Sequence, residues 1–219
     1  MNYQELFKAQ RLSLDLLFAL LPIIEDGDTY ETFLGSMGLF EHGFSYHELV
    51  KPHHKDRAEK PRFAEPPKGL WRRMAPTLVA ANELRGWLVE GDDAPRGLRV
   101  AAAYRPRGGA SNSQHKRNAA LDLDLMPGDY HHTHRLYETA VRFWCEFGRE
   151  LKMGLGLYPA GIRRADGIRI HIDTGYRCRS WQITGGRSRR PYLMDSGSKV
   201  GLPVFLAYDL GLVPPTEAA

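Results

Sequence analysis

The sequence predicts a mixed fold of helices and strands, and three observations predict it. Two segments, "AALDLDL" at 119–125 and "IRIHID" at 168–173, alternate apolar and polar residues with the two-residue period of a strand. Two longer segments, "LWRRMAPTLVAANELRGWLV" at 70–89 and "RLYETAVRFWCEFGREL" at 135–151, repeat apolar residues at helical spacing. The 219 residues, 42% hydrophobic and 26% charged, suffice for one domain with a substantial core. Only the terminal "PPTEAA" is biased enough to read as disordered.

Taken in order, Leu6 to Ile24 repeats leucine at three- and four-residue steps and is closed by "EDGD", so it predicts a helix. Asp15 interrupts its apolar run, which is too short to span a membrane and lacks a cleavage site, so neither a transmembrane segment nor a signal peptide is expected. The next forty residues are rich in Pro, Lys and His and read as surface loop with one helical turn at "SYHEL". The helix from about Leu70 to Val89 carries Pro76, expected near a bend, and stops at "EGDDAPRG". "LRVAAAYRP" is the first strand and "RGGASNSQ" a loop. "AALDLDL" is then a strand with Ala120, Asp122 and Asp124 on one face and leucines on the other. The second long helix follows, with Thr133 as its expected N-cap. "GLGLYP" and "IRIHID" read as two strands joined by a turn at "RRADG", the second placing Arg169, His171 and Asp173 opposite its isoleucines. No internal repeat is present.

Cys145 and Cys178 lack C-x-x-C spacing and are expected to be reduced packing thiols. The formal charge is +4, with Arg177, Arg179, Arg187, Arg189 and Arg190 crowded into one segment that either faces a polyanion or is a solvated loop. Nucleic acid is not expected as a partner, because only Trp181 is at hand for base stacking.

Each alternating strand has an apolar side that anchors it and a polar side that carries His or Asp, which is how a sheet presents metal ligands. A catalytic zinc site takes three protein ligands and keeps a fourth position open. His115, Asp122 and His171 would supply that set, although His and Asp seven residues apart also occur by chance. His131, His132 and His134 in "DYHHTH" form a rival cluster that reads as a solvated helix entrance, and His53 and His54 lie in a charged loop.

The residues around these ligands carry a resemblance. "YRPRGGASNSQHKRNAALDLDL" together with "GLGLYPAGIRRADGIRIHIDTGYRCRSW" resembles the M15 family of zinc peptidases, in the branch that reads S-x-H-x(6)-D and then G-x-G-x-Y-P, H-[IV]-D-T-G and a tryptophan. It runs from about Phe44 to Trp181. The resemblance implies an α+β fold with a small antiparallel sheet holding the metal against helices. Residues 43–182 would form that domain, 1–42 an N-terminal helical extension and 183–219 a C-terminal extension packed on it.

It also implies Zn2+ bound by His115, Asp122 and His171, and hydrolysis of peptide bonds in bacterial peptidoglycan, as a D,D-carboxypeptidase or an endopeptidase. Tyr104 and Arg105 match the family's Y-R motif and, with Ser113, are expected at the substrate, Arg105 pairing with a carboxylate. Arg105 as a surface ion pair and Ser113 as a loop cap are the plainer readings. Two positions depart from the pattern. Asn118 stands where the family often has Gly, a tolerable change because Asn accepts left-handed backbone angles. Ile168 stands where several members have a catalytic acid. The general base is therefore expected at Asp173, with Asp166 and Asp124 as fallbacks, and Asp173 orienting a ligand histidine as the alternative role. The lack of a signal peptide suits synthesis in the cytoplasm and action on the wall after release, as in phage lysis, or carriage by a phage particle. The competing expectation is a non-catalytic, metal-containing cell-wall-binding or phage structural protein.

Overall fold

The computed structural model describes residues 13–38, 43–50, 65–107, 111–158, 168–182, 192–193, 199–200 and 202–215. The helices are α1 (Leu14–Leu20), α2 (Tyr30–Ser36), α3 (Tyr46–Val50), α4 (Trp71–Leu88), α5 (Thr133–Phe147) and α6 (Leu202–Asp209). The strands are β1 (Leu98–Ala102), β2 (Ala120–Leu125), β3 (Gly154–Tyr158), β4 (Arg169–Asp173) and β5 (Arg179–Gln182), with a separate two-stranded pair, β6 (Tyr192–Leu193) and β7 (Lys199–Val200). The fold is mixed α and β, a five-stranded sheet packed against helices, as expected.

The sheet order is β1-β2-β4-β3-β5. Pairs β1–β2, β2–β4 and β3–β4 are antiparallel, whereas β5 joins the edge parallel to β3. The expected hairpin of "GLGLYP" with "IRIHID" is present as β3–β4, and its turn lies outside the described residues. β5 was not legible: its "RSWQ" falls in the arginine-rich segment and shows no alternation.

Local chemistry sets the helix ends. The Ser13 hydroxyl accepts from the Leu16 N–H and starts α1, and Thr29 and Thr32 form a reciprocal capping box on α2. α4 is entered through a 3₁₀ turn, Lys68–Leu70, with the Trp71 indole N–H donating to the Pro66 carbonyl. Pro76 lies in its second turn, where the helix runs on without that one N–H. α4 is buried around most of its circumference, because α1 covers one side while α5 and the sheet cover others. Thr133 is the first residue of α5 rather than its cap. His132 holds the cap position, and the Thr133 hydroxyl donates back to the Tyr130 carbonyl.

One continuous core joins Leu17 of α1, Phe33 of α2, Leu78 of α4, Leu121 and Leu123 of β2, Trp144 of α5, Ile170 and Ile172 of β4, and Ala207 of α6. The described parts of both terminal extensions therefore share the core of the sheet domain. Among the described residues no helix is long and apolar enough to cross a membrane.

Candidate metal centre

Three elements bring His115, Asp122 and His171 together. Asp122 of β2 and His171 of β4 are direct cross-strand partners, so their side chains stand side by side on the same face. His115 comes from a 3₁₀ turn, Gln114–Arg117, that the chain forms between β1 and β2. That turn is fixed by the Arg105 N–H donating to the His115 carbonyl at 3.1 Å, and by Asn118, which ends it in the left-handed region at φ 53°. The expectation that Asn serves here in place of Gly thus has its physical basis: the Asn118 side chain also donates to the Leu70 carbonyl at 3.0 Å.

Asp122 Oδ1 lies 2.8 Å from His171 Nδ1 and 3.3 Å from His115 Nε2, and one ligand atom from each residue falls within 4.8 Å of the others. All three side chains are buried. The remaining ring nitrogens decide which atoms are free. His115 Nδ1 faces the Ala103 carbonyl at 2.7 Å, and a carbonyl only accepts, so the proton sits on Nδ1 and Nε2 presents its lone pair. His171 Nε2 faces the Asp173 carboxylate at 3.0 Å, which can hold a proton on Nε2 and free Nδ1 for a metal ion in place of its contact with Asp122. Two imidazole nitrogens and a carboxylate converging on one point are a donor set that suits zinc. The arrangement could hold a metal ion.

The electrostatics agree with a compact, mutually held group. Burial alone would raise Asp122, but the two histidines hold its carboxyl well below the usual range. Burial lowers His115 despite the neighbouring Asp122. Burial also acts to lower His171, but its bonds to Asp122 and Asp173 outweigh that and raise it.

Asp173, expected as the general base, lies against His171. It is fully buried, and its Oδ2 contacts the His171 nitrogen that points away from Asp122, while the Arg179 guanidinium holds it from the other side at 2.6 Å. It lies on the side of His171 that faces away from Asp122, a position compatible with the alternative expectation that it orients this histidine. Of the fallbacks, Asp124 is engaged by Arg169 through two bonds, at 2.6 and 3.0 Å, and Asp166 lies outside the described residues. The face that alternation marks as acidic is therefore buried and paired rather than open to water.

Arg105 stands at the rim, about one-third exposed, with Nη2 3.8 Å from Asp122 Oδ2. Tyr104 is beside it, half-buried. Ser113 is half-buried at the head of the 3₁₀ turn, and its hydroxyl does not cap that turn. The rival histidines form no candidate metal group among the described residues: His131 and His132 lie against each other, ring centroids 3.9 Å apart and planes tilted by 43°, and His134 pairs with Glu138. His53, His54, Arg187, Arg189 and Arg190 lie outside the described residues. Sequence reasoning missed Arg179 as part of the site, along with Gly154, whose absent side chain makes room for Asp173. The signal for both lies in strand register, which the sequence does not display. No protein family, curated protein or solved structure matches the chain.

Proposed function

We propose that the chain is a zinc-dependent peptidase that hydrolyses peptide bonds in bacterial peptidoglycan, as a D,D-carboxypeptidase or an endopeptidase acting in cell-wall lysis or remodelling. The observation that carries this reading is the convergence of His115 Nε2, Asp122 Oδ1 and His171 Nδ1, three residues chosen from the motif resemblance, on one buried point. Zinc bound there supplies a Lewis acid for the scissile carbonyl and an activated water near neutral pH. The protein's own groups do the rest. Ala103 and Asp173 fix the two imidazole tautomers. Arg105, whose guanidinium is partly solvated beside Asp122, would pair with a carboxylate of the stem peptide.

A second reading, a metal-containing wall-binding protein without turnover, is favoured by one observation. Asp122, Asp124 and Asp173 are each already held by a histidine or an arginine, so none of these three is spare for proton transfer. Incubation of the zinc-loaded protein with purified peptidoglycan, followed by mass analysis of the soluble fraction, separates the two. The peptidase reading predicts released D-alanine or stem-peptide fragments, abolished by a chelator and by His171→Ala. Co-sedimentation with the wall and no released fragment would favour the binder.

A further inference from the structure

We propose that Arg179 is a positioning residue of the metal centre, acting through Asp173 on His171, and that Gly154 is a glycine so that this reach is possible. The proposal rests on the reading that His115, Asp122 and His171 bind metal. Asp173, Gly154 and Arg179 form one row across three strands: Gly154 of β3 is the register partner of Asp173 on β4 and of Arg179 on β5. Arg179 thus starts two strand spacings from Asp173, about 10 Å. Its side chain crosses that distance to put Nη2 2.6 Å from Asp173 Oδ2.

The middle position must be empty for this to happen. A Cβ on Gly154 would lie 2.6 Å from Asp173 Oδ2 and 2.9 Å from its Cγ, closer than real contacts allow. Gly154 has no positive φ, so the backbone does not require a glycine there; the carboxylate does. The parallel edge strand β5, short and without apolar alternation, delivers the arginine to this row.

Asp173 is completely buried, and an ionised carboxylate without a partner is strongly disfavoured in such a place. Both of its bonds, from His171 Nε2 and from Arg179 Nη2, converge on the single oxygen Oδ2. Arg179 therefore aims the oxygen that in turn aims the imidazole. The Tyr176 ring, 5.1 Å from the guanidinium carbon, lies against Arg179 on its partly exposed side. Arg177, which also lies over Tyr176 at 5.4 Å, serves as a control of similar charge and neighbourhood.

The test uses the full chain, stripped of metal, titrated with zinc against a chromophoric chelator, and with cobalt to read the ligand field. Arg179→Met and Gly154→Ala are each expected to weaken metal affinity by up to roughly 10-fold, the low end of the 10–100-fold that follows loss of a ligand's own hydrogen-bond partner, because Arg179 acts one bond further out, through Asp173. Arg179→Lys should retain more of the affinity than Arg179→Met, and Arg177→Met should bind zinc as tightly as the wild type. Equal zinc affinity in wild type and Arg179→Met would overturn the inference while leaving the metal centre standing. Failure of the wild type to bind either metal would overturn the centre and the inference with it. Should Arg179→Met fail to fold, the wild type alone decides. Its ¹⁵N–¹H spectrum should show a slowly exchanging imidazole Nε2–H that disappears in His171→Gln, and its absence would contradict the relay.

Discussion

Asn118 shows how one residue holds the loop that carries His115. It is buried, its backbone is left-handed at φ 53° and ψ 46°, and its amide reaches the Leu70 carbonyl. Asn118→Gly keeps the backbone and loses the bond, at about 1 kcal/mol. Asn118→Ala loses the bond and adds a left-handed penalty of roughly 1–2 kcal/mol, so urea unfolding should rank Asn above Gly above Ala. Equal stability of the Gly and Ala variants would refute the backbone argument. The two cysteines are free and half-buried, and burial pushes both thiols up to about 11. Alkylation at pH 8 should therefore be much slower in the native chain than in urea, because the thiolate is the nucleophile. A thiol that holds its proton more tightly when folded contributes stability below its unfolded value near 9, and that stability falls as pH rises toward 11. An alkylation rate unchanged by urea would contradict it.

At the scale of elements, α4 is tied to the sheet by Thr77. Its buried hydroxyl donates to the Ala119 carbonyl at 3.1 Å and meets the Thr174 hydroxyl at 2.8 Å, clasping the start of β2 and the end of β4 to the helix. Thr77→Val keeps the volume and removes the clasp. It should cost about 1–3 kcal/mol, read as a lower urea midpoint at unchanged slope. An unmoved midpoint would mean the clasp contributes nothing. The same elements show what the sequence makes legible. Alternation in "AALDLDL" and "IRIHID" gives the strands, their faces, and two of the three residues that could hold a metal ion, because side-chain direction has a period of two that survives tertiary context. The fate of the polar face is not legible. Whether Asp124 meets water or Arg169 depends on which strand lies alongside, and register between distant segments is a tertiary property. β5 stayed hidden for the same reason, since a four-residue parallel edge strand has no pattern of its own. Asp173 was visible as a polar neighbour of His171, but only the row through Gly154 to Arg179 shows which way it faces.

The described residues share one buried cluster running from α1 through α4 and the sheet to α6. Arg72 of α4 also donates to the Phe18 carbonyl of α1 at 2.8 Å. The chain should accordingly unfold in a single step, with tryptophan fluorescence and far-ultraviolet circular dichroism tracing the same urea curve. Two separated transitions would show instead that a terminal segment is an independent unit. That shared core holds the sheet rigid, and the sheet in turn holds Asp122 and His171 in register while the loop tied down by Asn118 brings His115 to them. Zinc per chain in the purified, zinc-supplied protein reads directly whether this arrangement is a metal site. The wild type should hold about one zinc per chain, lost in His171→Ala, as a three-ligand site requires. A wild type that takes up no zinc would contradict it.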